Sequence, residues 1–175
     1  MLSDIAYIGL GSNLGAPVKQ LEKALETIGV HSQMVLLASS HFYSSSPMGP
    51  QDQPDYVNAV CKIKTSLQPQ ELLATLQNIE NQQGRQRQGD RWGPRTLDLD
   101  ILLYNDMSLK TKDLTLPHYG MHEREFVLVP LFELSPDLIM QDGHPVATWV
   151  AKCNLEGLYR LDTTTFNIKI NASAT

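Results

Sequence analysis

Two helical apolar stripes, each opened by a proline and flanked by strand-like runs, constrain this chain most tightly. Val18, Leu21, Leu25 and Ile28 recur at the spacing of one helix face behind Pro17, and Gly29 supplies a stop. Leu72, Leu73, Leu76 and Ile79 repeat the pattern behind Pro69, with Gly84 near the end. Ile5 to Leu10 reads as a buried strand, and Gly9 to Gly15 as the turn after it. Met34 to Tyr43 reads as a second strand and Tyr56 to Thr65 as a third. The run carrying Asp98 and Asp100, through about Tyr104, reads as a fourth. Between the second and third lies a turn-rich stretch, Ser44 to Asp55, too long for a tight hairpin. The order strand–helix–strand–strand–helix–strand predicts an α+β fold. Its core would be ferredoxin-like, βαββαβ, an antiparallel sheet with both helices on one face.

The remainder reads as a C-terminal extension of further helices and strands. Leu114 to Leu116 suits a short strand, Glu123 to Leu134 a helix that Pro130 would bend or interrupt, and Pro145 the start of a short helix holding Trp149 and Val150. Phe166, Ile168 and Ile170 alternate like a final strand, within a weakly constrained tail over about 160–175. The expectation is one domain over 1–175, a length that buries a core without staples. A net charge of −5 argues against a general nucleic-acid binder. No apolar run reaches the ~20 residues needed to cross a bilayer, and Met1-Leu2-Ser3-Asp4 lacks the pattern of a secretory signal. Cys61 and Cys153 form no ligand cluster, and Cys61 reads as a small core residue. A cytoplasmic protein, with no membrane association and no demand for a partner subunit, is the expectation.

Chemistry concentrates around the fourth strand. Strand alternation puts Asp98 and Asp100 on one face and Leu97, Leu99 and Ile101 on the other, with the two acid Cα atoms about 6.5–7 Å apart. Paired half-buried acids repel and lose hydration, which a hard cation remedies; Mg²⁺ typically shares such a site with water and phosphate. The plain alternative is two solvated aspartates on an edge strand. Arg85, Arg87, Arg91 and Arg95 crowd into eleven positions of an acidic chain, which suggests a small anionic ligand over a salt-bridged loop. Tyr56 and Asn58 share a strand face that could stack on and hydrogen-bond a flat heterocycle, with Phe126 as a second ring or as core packing. Gln77 and Glu80 lie one turn apart beside the second stripe, and His118 and Arg124 are candidates for phosphate. The glycines of Gly9-Leu10-Gly11-Ser12-Asn13-Leu14-Gly15 miss the dinucleotide-binding spacing by one position, and no P-loop occurs. A tight turn placing Asn13 beside a pocket is the better reading.

With these residues in view, the chain resembles the 6-hydroxymethyl-7,8-dihydropterin pyrophosphokinase family. The likeness runs through Gly11-Ser12-Asn13, Pro47-Met48-Gly49-Pro50-Gln51-Asp52-Gln53-Pro54-Asp55-Tyr56-Val57-Asn58, and Glu80 with Gly84-Arg85-Gln86-Arg87. It continues in Arg91-Trp92-Gly93-Pro94-Arg95-Thr96-Leu97-Asp98-Leu99-Asp100, Pro117-His118-Tyr119 and Arg124, spanning about residues 5 to 140. The resemblance implies transfer of a diphosphoryl unit from ATP to the hydroxymethyl oxygen of 6-hydroxymethyl-7,8-dihydropterin, releasing AMP, in folate biosynthesis. It implies two Mg²⁺ ions on Asp98 and Asp100, and transfer assisted by Arg85 and Arg95. ATP would meet Gln77, Glu80, Arg87, Arg95, His118, Tyr119 and Arg124; the pterin would meet Ser45, Met48, Tyr56, Asn58, Trp92 and Phe126. The family pattern differs at Ser44-Ser45-Ser46, where a more proline- and threonine-containing approach is usual, and at Asp113, where a relative can carry a basic residue. Two rivals of other classes are a noncatalytic ferredoxin-like sensor and a palm-like nucleotidyltransferase; the latter would want a nucleic-acid track that the charge does not supply. A monomer acting on two small molecules is the expectation.

Overall fold

A computed structural model describes residues 2–47, 52–84 and 96–162. Its first six elements are β1 (Asp4–Ser12), α1 (Pro17–Val30), β2 (Met34–Ser39), β3 (Tyr43–Ser45), β4 (Tyr56–Thr65) and α2 (Pro69–Gln82). There follow β5 (Asp98–Tyr104), β6 (Leu109–Lys110), β7 (Thr115–Leu116), α3 (Glu125–Leu134), α4 (Val146–Ala151) and β8 (Tyr159–Arg160). The main sheet is antiparallel throughout and runs β5–β1–β4–β3–β8, with β2 beside β3 along the same edge of β4. Taking β2 and β3 together as one broken strand, this is the ferredoxin-like order that the pattern predicts.

Each face of the sheet has its own core. Ala6, Ile8 and Leu10 of β1, Ala59, Cys61 and Ile63 of β4, and Leu99 and Ile101 of β5 pack under Leu21, Leu25 and Ile28 of α1 and Leu72, Leu76 and Ile79 of α2. The opposite face gathers Tyr7, Val60, Leu102 and Leu103 beneath Val127, Leu128 and Leu131 of α3 and Val146 of α4. The extension is therefore the cover of the second face. Pro130 stays inside α3, which continues to Leu134. Its missing N–H costs a helical bond, and burial of the ring beside Val127, Leu128 and Leu131 offsets the loss.

Four expectations need correction. β1 does not turn at Gly9 but runs on to Ser12, paired with β4 as far as Val57; Gly9 and Gly11 serve close approach instead, and a Cβ on Gly9 would lie 3.3 Å from Leu102 Cδ2. The second strand breaks between Ser39 and Tyr43. At the break the Ser40 N–H donates to the Val60 carbonyl (2.9 Å) and the Ser40 hydroxyl accepts the Val60 N–H (3.0 Å), so a side chain replaces a backbone acceptor. The turn-rich stretch consequently starts after Ser45, since Ser44 and Ser45 pair with Val57 and Tyr56. Finally, α3 starts at Glu125, behind a 3₁₀ turn over Met121–Glu123. The strand expected from Phe166, Ile168 and Ile170 lies outside the described residues, and β8 pairs with β3 without a sequence signal. Among the described residues no helix is long and apolar enough to cross a membrane.

Candidate active site

Register across the sheet assembles the site. Asp98 of β5 faces Gly11 of β1, Gly11 faces Asn58 of β4, and Asn58 faces Tyr43 of β3. One step along, Asp100 faces Gly9 and Gly9 faces Val60; one step the other way, Tyr56 faces Ser45. Directly opposed residues project to the same side. Asp98, Asp100, Tyr56, Asn58 and Ser45 thus share the α3 side of the sheet, separated by two glycines that raise no side chain between them. β5 carries a bulge here: Tyr7 pairs with Leu103 and Ile8 with Ile101, leaving Leu102 unopposed. Alternation holds from Asp98 to Ile101 and shifts phase only beyond the acids, so Leu102 and Leu103 both enter the second core.

Asn58 is buried, and its amide donates to Ser45 Oγ at 2.7 Å. Its Oδ1 reaches over β1, where a Cβ on Gly11 would come within 3.2 Å of it. Asn13 is buried at the end of β1 and donates to Gln53 Oε1 (2.9 Å) and the Pro54 carbonyl (3.0 Å), fastening the approach to β4. Asp98 is half-buried and Asp100 exposed at this surface. The pair offers only oxygen donors, a set that suits Mg²⁺, which takes one or two protein carboxylates and fills its shell with water and phosphate. Among the described residues no group of three or more His, Cys, Asp and Glu could hold an ion, as a cage made wholly of protein ligands would need.

A second cluster flanks β5. The His118 N–H donates to the Leu102 carbonyl at 2.9 Å, fixing the imidazole beside the strand of the acids. His118 stacks on Tyr119 with ring centres 4.7 Å apart, and the Arg124 guanidinium sits 5.8 Å from the Tyr119 ring centre. Burial, with a smaller push from Arg124, holds the His118 pKa down to about 4. It is therefore neutral at pH 7. Its Nδ1 accepts the Gly120 N–H at 3.2 Å, which assigns the ring proton to Nε2 and makes His118 a hydrogen-bond donor rather than a cation. Phe126, half-buried at the start of α3, packs against the second core.

Of the expected site residues, Ser45, Tyr56, Asn58, Asp98 and Asp100 meet on one face, and His118, Tyr119 and Arg124 meet beside it. Gln77 is half-buried on α2, and Glu80 turns its carboxyl into the structure, accepting the Leu99 N–H at 2.9 Å. Met48, Arg85, Arg87, Trp92 and Arg95 lie outside the described residues. Sequence reasoning missed Tyr43 and Glu133. The Tyr43 hydroxyl donates to Glu133 Oε1 at 2.6 Å, and the His41 N–H donates to Glu133 Oε2 at 2.8 Å, tying the end of α3 to the strand beside Asn58. Burial first, then Glu133, drives the Tyr43 pKa far up, so it stays a phenol.

Comparison with known proteins bears on this arrangement. The family model described as 7,8-dihydro-6-hydroxymethylpterin-pyrophosphokinase (HPPK) matches residues 7–136. A 2-amino-4-hydroxy-6-hydroxymethyldihydropteridine pyrophosphokinase of Haemophilus influenzae is 57% identical over 145 residues, covering 83% of this chain and 90% of that protein. The protein of the same name in Pseudomonas aeruginosa is 48% identical over 155 residues, covering 89% of this chain and 95% of that one. Among solved structures, wild-type HPPK-DHPS of Plasmodium falciparum superposes with a TM-score of 0.67 at 15% identity over 86% of this chain. This chain spans 41% of that longer one, and the likeness bears on the fold.

Proposed function

The chain belongs to the 7,8-dihydro-6-hydroxymethylpterin-pyrophosphokinase family, and from that premise we propose how its surface carries out diphosphoryl transfer. ATP donates its β,γ-diphosphoryl unit to the hydroxymethyl oxygen of 6-hydroxymethyl-7,8-dihydropterin, and AMP leaves with the oxygen that bridged the α- and β-phosphorus. One observation carries the reading: two carboxylates and an aromatic–amide pair lie on one sheet face, across a glycine floor.

Asn58 is suited to read the pterin edge. The bond from its amide to Ser45 Oγ holds the side chain in place, and the amide both donates to and accepts from a heterocycle edge. Tyr56 offers a ring face beside it, and Gly11 lets the Asn58 amide lie close over β1. Phe126 is the second ring by family resemblance. His118 donates through Nε2 to phosphate oxygen, and Arg124 and Tyr119 complete that edge. Asp98 and Asp100 would hold Mg²⁺, two ions by family resemblance, and the metal would supply neutralisation of phosphate charge. Arg85, Arg87, Arg95, Trp92 and Met48 join by family resemblance alone. The transfer asks the protein for positioning and charge complementarity rather than a nucleophile.

Incubation with ATP, Mg²⁺ and the hydroxymethyl-dihydropterin tests the proposal. AMP and the pterin diphosphate are expected in equal amounts, and folded protein yielding neither would sink it.

A further inference from the structure

We propose that Glu80 is a positioning residue for the acid pair: its carboxyl, accepting the Leu99 N–H, fixes the stretch of β5 that presents Asp98 and Asp100. The inference rests on the reading of those two acids as metal ligands. Among the described residues β5 is the outer strand of the sheet. On such a strand alternate N–H groups point away from the neighbouring strand and need another acceptor. Leu99 is 3% exposed, so its amide cannot turn to water. Glu80 reaches it from the last turns of α2, 2% exposed itself, with Oε2 at 2.9 Å. The carboxyl thereby acts where a next strand would, at the residue between the two acids. Leu76 and Ile79, on the same helix, pack in the core with Leu97, Leu99 and Ile101, so apolar packing and this one bond fix the strand from the same side. Removing the acceptor would leave a buried amide unsatisfied, and the strand would have to twist to find a partner. A twist at Leu99 carries both acids with it.

The role is one of reach rather than charge, which two variants separate. Glu80→Gln keeps an acceptor at the same distance and loses the charge. Glu80→Asp keeps the charge and draws the carboxyl back by one methylene. Hydrogen exchange of the Leu99 amide, followed by NMR on the full chain without ligands, should stay within a few-fold of wild type in Glu80→Gln and accelerate about tenfold or more in Glu80→Asp. Mn²⁺ binding in the presence of a non-hydrolysable ATP analogue, read by EPR, should follow the same order, with about tenfold weaker binding in Glu80→Asp. Leu72→Ala, which deletes packing elsewhere on α2, should lower Tm while leaving Mn²⁺ affinity unchanged. The reverse order, with Glu80→Gln the damaged variant, would overturn the proposal, as would equal Mn²⁺ affinity in wild type and both Glu80 variants. The amide measurement needs no substrate. A wild-type protein that makes no pterin diphosphate would therefore count against the functional reading alone, and one that binds no Mn²⁺ against the metal assignment.

Discussion

The two faces of the sheet are built from the same strands and do different work. Under α1 and α2 the middle of the face is apolar, with Asp4, Ser12 and Thr65 only at its ends: Ala6, Ile8 and Leu10 in β1 have counterparts in Ala59, Cys61 and Ile63 of β4 and in Leu99 and Ile101 of β5. On the other face each strand changes character along its length. Tyr7, Val60, Leu102 and Leu103 lie beneath α3 and α4, while Gly9, Gly11, Asn58, Asp98 and Asp100 continue the same side as a polar surface. The first face stabilises the fold, and its completeness lets half of the second be given over to chemistry. Function here occupies the alternate positions of strands whose other positions are core.

Substitutions on the two faces should separate turnover from stability. The largest effect is expected for Asp98→Asn or Asp100→Asn, with turnover lower by about a thousandfold or more and little change in Tm. Near-normal turnover in either would break the assignment of this face. One residue away, on the opposite face, Ile8→Ala should cost about 2–5 kcal/mol in urea unfolding and leave KM for the pterin unchanged in the folded fraction. Gly11→Ala sharpens the contrast, since its Cβ would lie 3.2 Å from Asn58 Oδ1. Pterin KM should rise about tenfold, the equivalent of ~1.4 kcal/mol, with ATP KM little altered. Equal rises in both would move Asn58 out of the pterin pocket.

A smaller effect concerns pH. The folded His118 value, about 4, lies below the ordinary 6.5, so the unfolded chain binds the proton more readily. The stability contributed by keeping this ring neutral is complete above about pH 6.5 and is lost as pH falls towards 4. His118→Gln should flatten that part of the stability profile between pH 4 and 6.5, measured by urea midpoints. An unaltered slope would show that the ring is not held neutral. The smallest effect is expected for Tyr43→Phe, which leaves Glu133 with His41 and should cost about 1–2 kcal/mol with kcat within twofold.

The sequence made the site legible where the information is local. Period-two alternation assigned Asp98 and Asp100 to one side and Tyr56 and Asn58 to another strand's face, and period 3.6 found both helices and their prolines. It misled where a residue's meaning depends on a distant neighbour. Gly9 and Gly11 read as a turn because glycine signals both turns and close approach, and only Leu102 and Asn58 on the adjoining strands decide between them. Ser40 interrupts a strand through a partner twenty residues away, and the bulge at Leu102 arises from pairing with β1. Glu80 gave no sign of its target, Leu99, nineteen residues on, nor did Tyr43 of Glu133, ninety residues on. The third helix was visible as a helix, but its task of covering the second face emerges only from the packing.

An NMR titration of the full chain with the pterin, in the presence of Mg²⁺ and a non-hydrolysable ATP analogue, tests the division between faces most directly. The account predicts that the largest amide shifts upon addition of pterin fall at Gly9 to Ser12, Tyr43 to Ser45, Tyr56 to Asn58 and Asp98 to Asp100. Shifts centred on α1 and α2, with those four stretches unmoved, would contradict it.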